Sequence, residues 1–322
     1  MTGGMGAFAG LAFDLVLGLL LLATALAAVA GRDLFGGVVA FVVYGLLAAL
    51  AWVRLGAIDV ALAEAAIGAG LTGVLLVGAV ARLARIGAAD PAPTPPLGKA
   101  LAALGAAAVA GAIALAVLAL PVERPGLGPD VARDLAASGV ENPVTAVLIV
   151  FRGYDTLIES IVLLAALVGV WAASVERDWG GLPGLRQHAR PGGVMASFAR
   201  LVPSLGIVIG IYVVHAGAYA PGGAFQGGTI LAAVYLLAAM AGLVEPPAVS
   251  RLPVRLALAF GPAVFLALGV VGALGGTFLA FPEAFAGTLV LVVETALTVS
   301  IAATLALLVL GPPARPAPGG AP

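Results

Sequence analysis

The chain has 322 residues, 62% of them hydrophobic and 10% charged, with a net charge of −1. A soluble domain carries about 25% charged residues, so the composition excludes one and indicates an integral membrane protein. No basic patch speaks for a nucleic-acid partner. The absence of cysteine removes disulfides, thiolate catalysis and cysteine-held iron–sulfur clusters. Only two histidines occur, His188 in a polar loop and His215, so no haem held by a histidine pair of this chain is expected. No cofactor or metal site is expected either.

A spanning helix needs roughly 20 apolar residues. Nine spans are predicted, at roughly 7–30, 34–53, 59–81, 100–120, 154–174, 201–218, 225–244, 256–280 and 287–310. The first has no basic segment before it and is read as a retained helix rather than a signal peptide. It carries Asp14, either a helix-end acid reaching the outer interface or a polar group within the membrane. The third opens Ala57-Ile58-Asp59 and continues to Glu64 and Gly68. Asp59 is expected to cap that helix. Glu64, more than a turn inside an apolar helix, is either a neutral hydrogen-bonding acid or a group able to take and release a proton.

A proline-rich linker, Asp90-Pro91-Ala92-Pro93-Thr94-Pro95-Pro96, cannot stay helical. The fifth span begins Phe151-Arg152-Gly153-Tyr154-Asp155-Thr156-Leu157-Ile158-Glu159. Spacings of three and four put Arg152, Asp155 and Glu159 on one face, with Arg152 paired to Asp155 and Glu159 one turn deeper. A polar connection over 175–200 follows. The two linkers divide the chain into modules at 1–90, 91–185 and 186–322, with three, two and four spans.

Between the sixth and seventh spans lies His215-Ala216-Gly217-Ala218-Tyr219-Ala220-Pro221-Gly222-Gly223-Ala224-Phe225-Gln226-Gly227-Gly228. Backbone leaves helical geometry at membrane depth only where protein or a hydrated cavity receives its polar groups. This stretch is therefore a tight glycine-packed junction or an ion-coordinating turn, with His215 able to handle a proton and Gln226 in the same junction. The ninth span carries Glu294, near Thr295 and Thr298, with no partner legible in the sequence.

The fold class is all-α and polytopic. Eleven of the fifteen Lys and Arg residues fall on one side if the amino terminus is outside and the carboxyl terminus cytoplasmic. Acids on separate spans, with His215, point to a polar path through the membrane. No phosphate loop, zinc spacing or nucleophile elbow is present, so the chain is not read as an enzyme.

The stretch from His215 to Gly228 resembles the signature of MnhB, the B-type component of the multisubunit Mrp (Mnh) sodium/proton antiporters, with Pro221, Gly222, Gly223, Gly227 and Gly228 as its structural members. Phe13-Asp14 and Ile58-Asp59-Val60-Ala61-Leu62-Ala63-Glu64-Ala65-Ala66-Ile67-Gly68 resemble the carboxyl-terminal extension of the A-type antiporter component, a module that membrane-bound hydrogenases reuse. Asn142-Pro143-Val144-Thr145-Ala146-Val147 and the run from Phe151 to Glu159 resemble the small neighbouring module. The chain departs at Ile58, where that family usually has proline, and at Ala224, where a third glycine is common.

The resemblance implies a membrane component of a monovalent cation (Na+)/proton antiporter. It would line an ion path at subunit contacts with Glu64, Glu159, Asp155, His215, Asp14, Asp59, Glu294 and Gln226. The implied partners are the large A- and D-type antiporter proteins, a small C-type protein and membrane lipid, in a bacterial plasma membrane, with Na+ and H+ as transported ions. The alternatives are the ion-translocating arm of a redox-driven complex, such as a membrane-bound hydrogenase, and a pure scaffold.

Overall fold

Apolar runs without a competing turn signal become helices here because in lipid each backbone N–H and C=O must be satisfied within its own segment. The computed structural model describes residues 2–31, 33–87, 95–121, 126–184 and 193–314. Asp90–Thr94 of the proline-rich linker, His188, Pro191 and the counted cations Arg32, Arg124, Arg186, Arg190 and Arg315 lie outside the described residues.

Helix α1 (Thr2–Ala30) packs against α2 (Leu34–Arg54). Asp33 starts α2 by accepting the Gly36 amide, and Arg54 closes it, opposing the negative end of the helix dipole. The third span is continuous but not uniform. It runs as α3 (Ile58–Ala63), widens into a π-helix over Glu64–Leu71, and returns to α-geometry in α4 (Thr72–Arg85). The Thr72 hydroxyl donates to the Ile67 carbonyl at 2.9 Å, satisfying one of the acceptors of the widened turn. Helix α5 (Pro96–Leu118), with proline in its first turn, buries none of its residues.

The connection before the next span, which falls between two predicted spans, is structured. Helix α6 (Gly128–Asp134) tightens into a 3-10 turn over Leu135–Ser138. Helix α7 (Pro143–Thr145) widens into a second π-helix over Ala146–Phe151. The two arms meet at 90°. Then come α8 (Gly153–Ala172), α9 (Val194–Ala216), α10 (Ala224–Met240), α11 (Leu252–Leu274) and α12 (Ala286–Leu310). A two-residue antiparallel pairing of β1 (Leu182–Pro183) with β2 (Pro313–Ala314) ties the connection after α8 to the segment after α12.

Helix α12 is the centre of the fold, packed by α8, α10 and α11. Phe265, Val290, Val293, Leu297 and Ile301 are fully buried around it. Helices approach closely in lipid where small residues allow it. At Gly261 of α11, a Cβ would sit 2.8 Å from the Leu297 backbone of α12.

Eight helices are long and apolar enough to cross a membrane, and α10, with 17 residues, is at the short end of the range. The bent α6–α7 pair has the geometry of either a broken span or a re-entrant loop, and counted as one span it brings the candidate crossings to nine among the described residues. The first turns of α3, α8 and α10 and the first half of α12 line one cavity.

Candidate functional site

Three helix beginnings and the first half of α12 deliver the polar groups. Asp59 comes from the first turn of α3, and Thr156 and Glu159 from the first two turns of α8. Gln226 comes from the first turn of α10, and Glu294 from about 12 Å along α12 at 1.5 Å per residue. With Thr145, Gly222 and Gly223 they line a cavity of about 310 Å³, whose remaining wall is apolar, including Val60, Ile67, Phe225 and Leu297. Glu159 lines the cavity yet is exposed, so it marks the open side.

The loop between α9 and α10 is held from below by the α7 segment. Asn142 donates its side-chain amide to the Ala220 carbonyl at 3.0 Å and accepts the Val144 amide at 2.9 Å. The Glu141 and Asn142 amides both donate to the Ala218 carbonyl, and the Thr145 hydroxyl donates to the Gly217 carbonyl at 2.6 Å. These bonds satisfy backbone acceptors just past the end of α9 that would otherwise be orphaned. Gly223 then turns the chain with φ +124°, a conformation that L side chains rarely adopt. Its bare Cα faces the cavity: a Cβ there would lie 3.1 Å from Glu294 Oε1 and 3.4 Å from Gln226 Oε1.

Helix α10 has no side-chain cap of its own, since Gly223 occupies that position. Two carboxylates stand close by. Asp59 Oδ1 accepts the Gly222 amide at 3.0 Å, one residue ahead of that position, and Glu294 Oε1 lies beside Gly223. The positive end of the α10 dipole thus faces two acids. This corrects the expectation for Asp59: α3 starts at Ala57 without a side-chain cap, and Asp59 reaches across to α10 instead. The Gln226 side-chain amide donates to the Asp59 carbonyl at 3.5 Å. Glu294 is 3% exposed, and its Oε2 has no hydrogen-bond partner.

The structure brings Asp59, Glu159, Gln226 and Glu294 together and leaves the other sequence candidates outside this cavity. Asp14 pairs with Arg54 at 2.7 Å on the exposed side of α1 and α2. Asp155 pairs with Arg152 as the spacing predicts, and both are more than half exposed. Glu64 folds back along its own helix onto Gly68 and does not line the cavity, although Val60, Ala63 and Ile67 do. His215 is exposed, with its ring edge-on to Tyr219 at 5.7 Å. Pro221 is exposed at the turn, whereas Gly227 packs on Val214 and Gly228 on Ile301. Sequence reasoning singled out neither Thr145 nor Thr156 as a site residue. The available signal for Thr145 was its place in the Asn142-Pro143 helix start. Thr156 donates to the Leu148 carbonyl of the second π-helix at 2.7 Å.

Residues 19–85 match the MbhD family, the D-type component of MBH, and residues 194–311 match the "Domain related to MnhB subunit of Na+/H+ antiporter" (MnhB). The chain thus joins a segment that matches MbhD to a domain that matches MnhB. It is a multi-pass membrane protein. The cavity lies where the two meet, with Asp59 from the MbhD segment and Gly222, Gln226 and Glu294 from the MnhB domain. An uncharacterized protein of Methanocaldococcus jannaschii is 30% identical over 159 residues, 44% of this chain and 60% of that protein. A chain of the Mrp complex from Dietzia sp. DQ12-45-1b shares the fold with a TM-score of 0.74 at 24% identity, over 94% of this chain and 35% of that one. A chain of the membrane-bound sulfane sulfur reductase (MBS), an archaeal respiratory membrane complex, matches with a TM-score of 0.55 at 22% identity, over 66% of this chain and 97% of that one. This chain therefore spans less than two thirds of both the curated relative and the Mrp chain it matches.

Proposed function

We propose that this chain is a non-catalytic membrane component of a multisubunit monovalent cation (Na+)/proton antiporter of the Mrp type, and that its MbhD–MnhB cavity is a station on the ion path. The observation that carries this reading is the convergence of Asp59, Glu159 and Glu294, from three spans, on one cavity inside an otherwise apolar bundle. Ionisable groups at membrane depth are costly, and their usual justification is a substrate or proton route. In the mechanism, a carboxyl group releases its proton to a water-accessible neighbour and then pairs with a cation, so charge is never left bare in the cavity. Glu159, on the open side, exchanges with a partner protein or a hydrated entry. Asp14–Arg54 and Arg152–Asp155 are interfacial ion pairs, while Glu64 and His215 border the route without entering this cavity.

The positive-inside count supports an amino terminus outside and a carboxyl terminus in the cytoplasm of a bacterial plasma membrane. That orientation puts the cavity near the outer face. Large A- and D-type antiporter proteins and a small C-type protein are the partners under this reading. The exposed, unpacked α5 fits a chain that is covered by others. The likeness to a respiratory complex favours one second reading, in which the same path sits in the arm of a redox-driven assembly. Cation-induced collapse of a pH gradient in everted vesicles, with the complete set of components expressed, is the test. Exchange in the absence of any electron donor supports the antiporter, and strict dependence on electron flow supports the redox arm. Unchanged exchange after Asp59, Glu159 and Glu294 are all neutralised would reduce the chain to a scaffold.

A further inference from the structure

Two acids approach the same helix beginning, but they are held differently. Asp59 is half-buried, and its Oδ1 is engaged by the Gly222 amide at 3.0 Å. Its own backbone carbonyl receives Gln226, so both the side chain and the main chain of this residue are fixed to the α9–α10 junction. Glu294 has one oxygen against the α10 beginning and the other, Oε2, buried without a partner in the cavity wall. An ionised carboxylate cannot keep a buried, bare oxygen in a largely apolar cavity wall without a large desolvation cost. Glu294 therefore needs an occupant at Oε2, whereas Asp59 does not.

We infer that the cavity is a single exchange site in which Glu294 gives up its proton to receive one monovalent cation, while Asp59 is a fixed anion locked by the backbone of the α9–α10 turn. This rests on the antiporter reading above and assigns the roles within it.

The stoichiometry follows from charge. Replacing one proton at Oε2 by one monovalent cation leaves the net charge of the cavity unchanged, whereas a divalent ion would leave an uncompensated positive charge. The lining supplies further oxygen ligands without moving the backbone. Gln226 uses its amide nitrogen on Asp59, which leaves Oε1 turned toward the same Gly223 position as Glu294 Oε1. The Thr145 and Thr156 hydroxyls donate to Gly217 and Leu148 and keep their lone pairs for the cavity. Among the described residues no three acidic or imidazole side chains converge closely enough to hold a metal ion. The cation accordingly keeps part of its water, which suits transit rather than storage. Glu159, the remaining ionisable group on the lining, stands at the opening, where it attracts the ion.

The test is carbodiimide labelling of the complete complex in nanodiscs, because dicyclohexylcarbodiimide attacks protonated carboxyl groups in apolar surroundings. Adducts are located by peptide mass spectrometry, in choline buffer and with Na+, Li+ or K+ added. The wild type is expected to carry an adduct on Glu294 that at least one of these cations reduces several-fold, and Glu294→Gln to lose it. Asp59→Asn should keep the adduct but need several-fold more cation for protection. The absence of a Glu294 adduct in the wild type, an adduct that no cation diminishes, or unshifted protection in Asp59→Asn overturns the assignment. The readout is separate from transport. Wild-type exchange that survives Glu294→Gln removes this inference and leaves the antiporter reading standing. A wild-type complex without cation-dependent exchange removes the antiporter reading, while the labelling still decides whether a cation binds.

Discussion

Asp59 Oδ1 accepts the amide of Gly222 at 3.0 Å, across 163 positions of sequence. The bond joins the first turn of α3, in the MbhD segment, to the turn that begins α10 in the MnhB domain. It pins the turn that leads into α10, and it leaves the same carboxylate on the cavity wall. Fixing the turn and forming the site are thus one arrangement, so disturbing the turn should disturb both stability and exchange.

Gly223→Ala is the most direct probe of that coupling. At φ +124° and ψ −174°, backbone strain alone costs about 1–3 kcal/mol for a residue with a Cβ. The added carbon would also meet Glu294 Oε1 at 3.1 Å. A fall in the melting temperature of the purified complex, together with loss of exchange in vesicles, is expected. Gly242→Ala is the comparison: it has φ +72° but nothing within 4 Å of the added carbon, so about 1 kcal/mol of destabilisation with exchange retained is expected.

The clamp from α7 makes a second prediction. Asn142→Ala leaves the Ala220 carbonyl and the Val144 amide without their partners, and Thr145→Val does the same to the Gly217 carbonyl. Each loss should cost about 1–3 kcal/mol. Both residues hold one short turn, so the double mutant should lose less than the two single losses combined. Chemical denaturation of the complex in detergent reads all three. Strict additivity would show that the two bonds support separate parts of the loop.

Helix packing can be separated from lipid exposure by two glycines. Gly261→Leu places a side chain against Leu297 and Ser300 of α12 and should prevent α11 and α12 from docking, seen as loss of the assembled complex on native gels. Gly105 of α5 has open space around it, so Gly105→Leu should leave this chain's own fold intact. If the complex nonetheless falls apart, α5 is covered by a partner at that point.

The spans were legible because hydropathy is a local property, and each crossing is long enough to stand out from its flanks. The bent α6–α7 pair was not. Each arm is too short to register as a span, and Asp130, Arg133, Asp134 and Glu141 interrupt the apolar run. Within the site, Glu159, Gln226 and Glu294 were recognisable as polar residues in apolar helices. Their convergence was not, because Asp59 and Glu294 meet through tertiary packing and share no local pattern. Asp59 was misjudged for the same reason: a helix-start acid has a local use, and only the fold reveals that a distant amide claims it. Conversely, Arg152–Asp155 was correct from spacing alone, since residues three apart are neighbours on any helix.

That contrast yields a last prediction, which separates the acids by location. Glu159 lines the cavity, whereas Asp155, four residues earlier, is turned outward with Arg152, and Asp14 is turned outward with Arg54. Exposed ion pairs contribute about 0–1 kcal/mol. Asp155→Asn and Asp14→Asn should therefore leave assembly unchanged and exchange close to wild type in everted vesicles. Glu159→Gln keeps the size and hydrogen-bonding capacity of the side chain but removes its charge from the opening of the cavity. It should reduce exchange at least as strongly at low as at high cation concentration, because a neutral opening recruits the ion less well. Glu159→Asp, which retains the charge one methylene further back, should recover part of the rate. A Glu159→Gln complex that exchanges at the wild-type rate, beside an Asp155→Asn complex that does not, would move the path from the cavity to the outer face of α8.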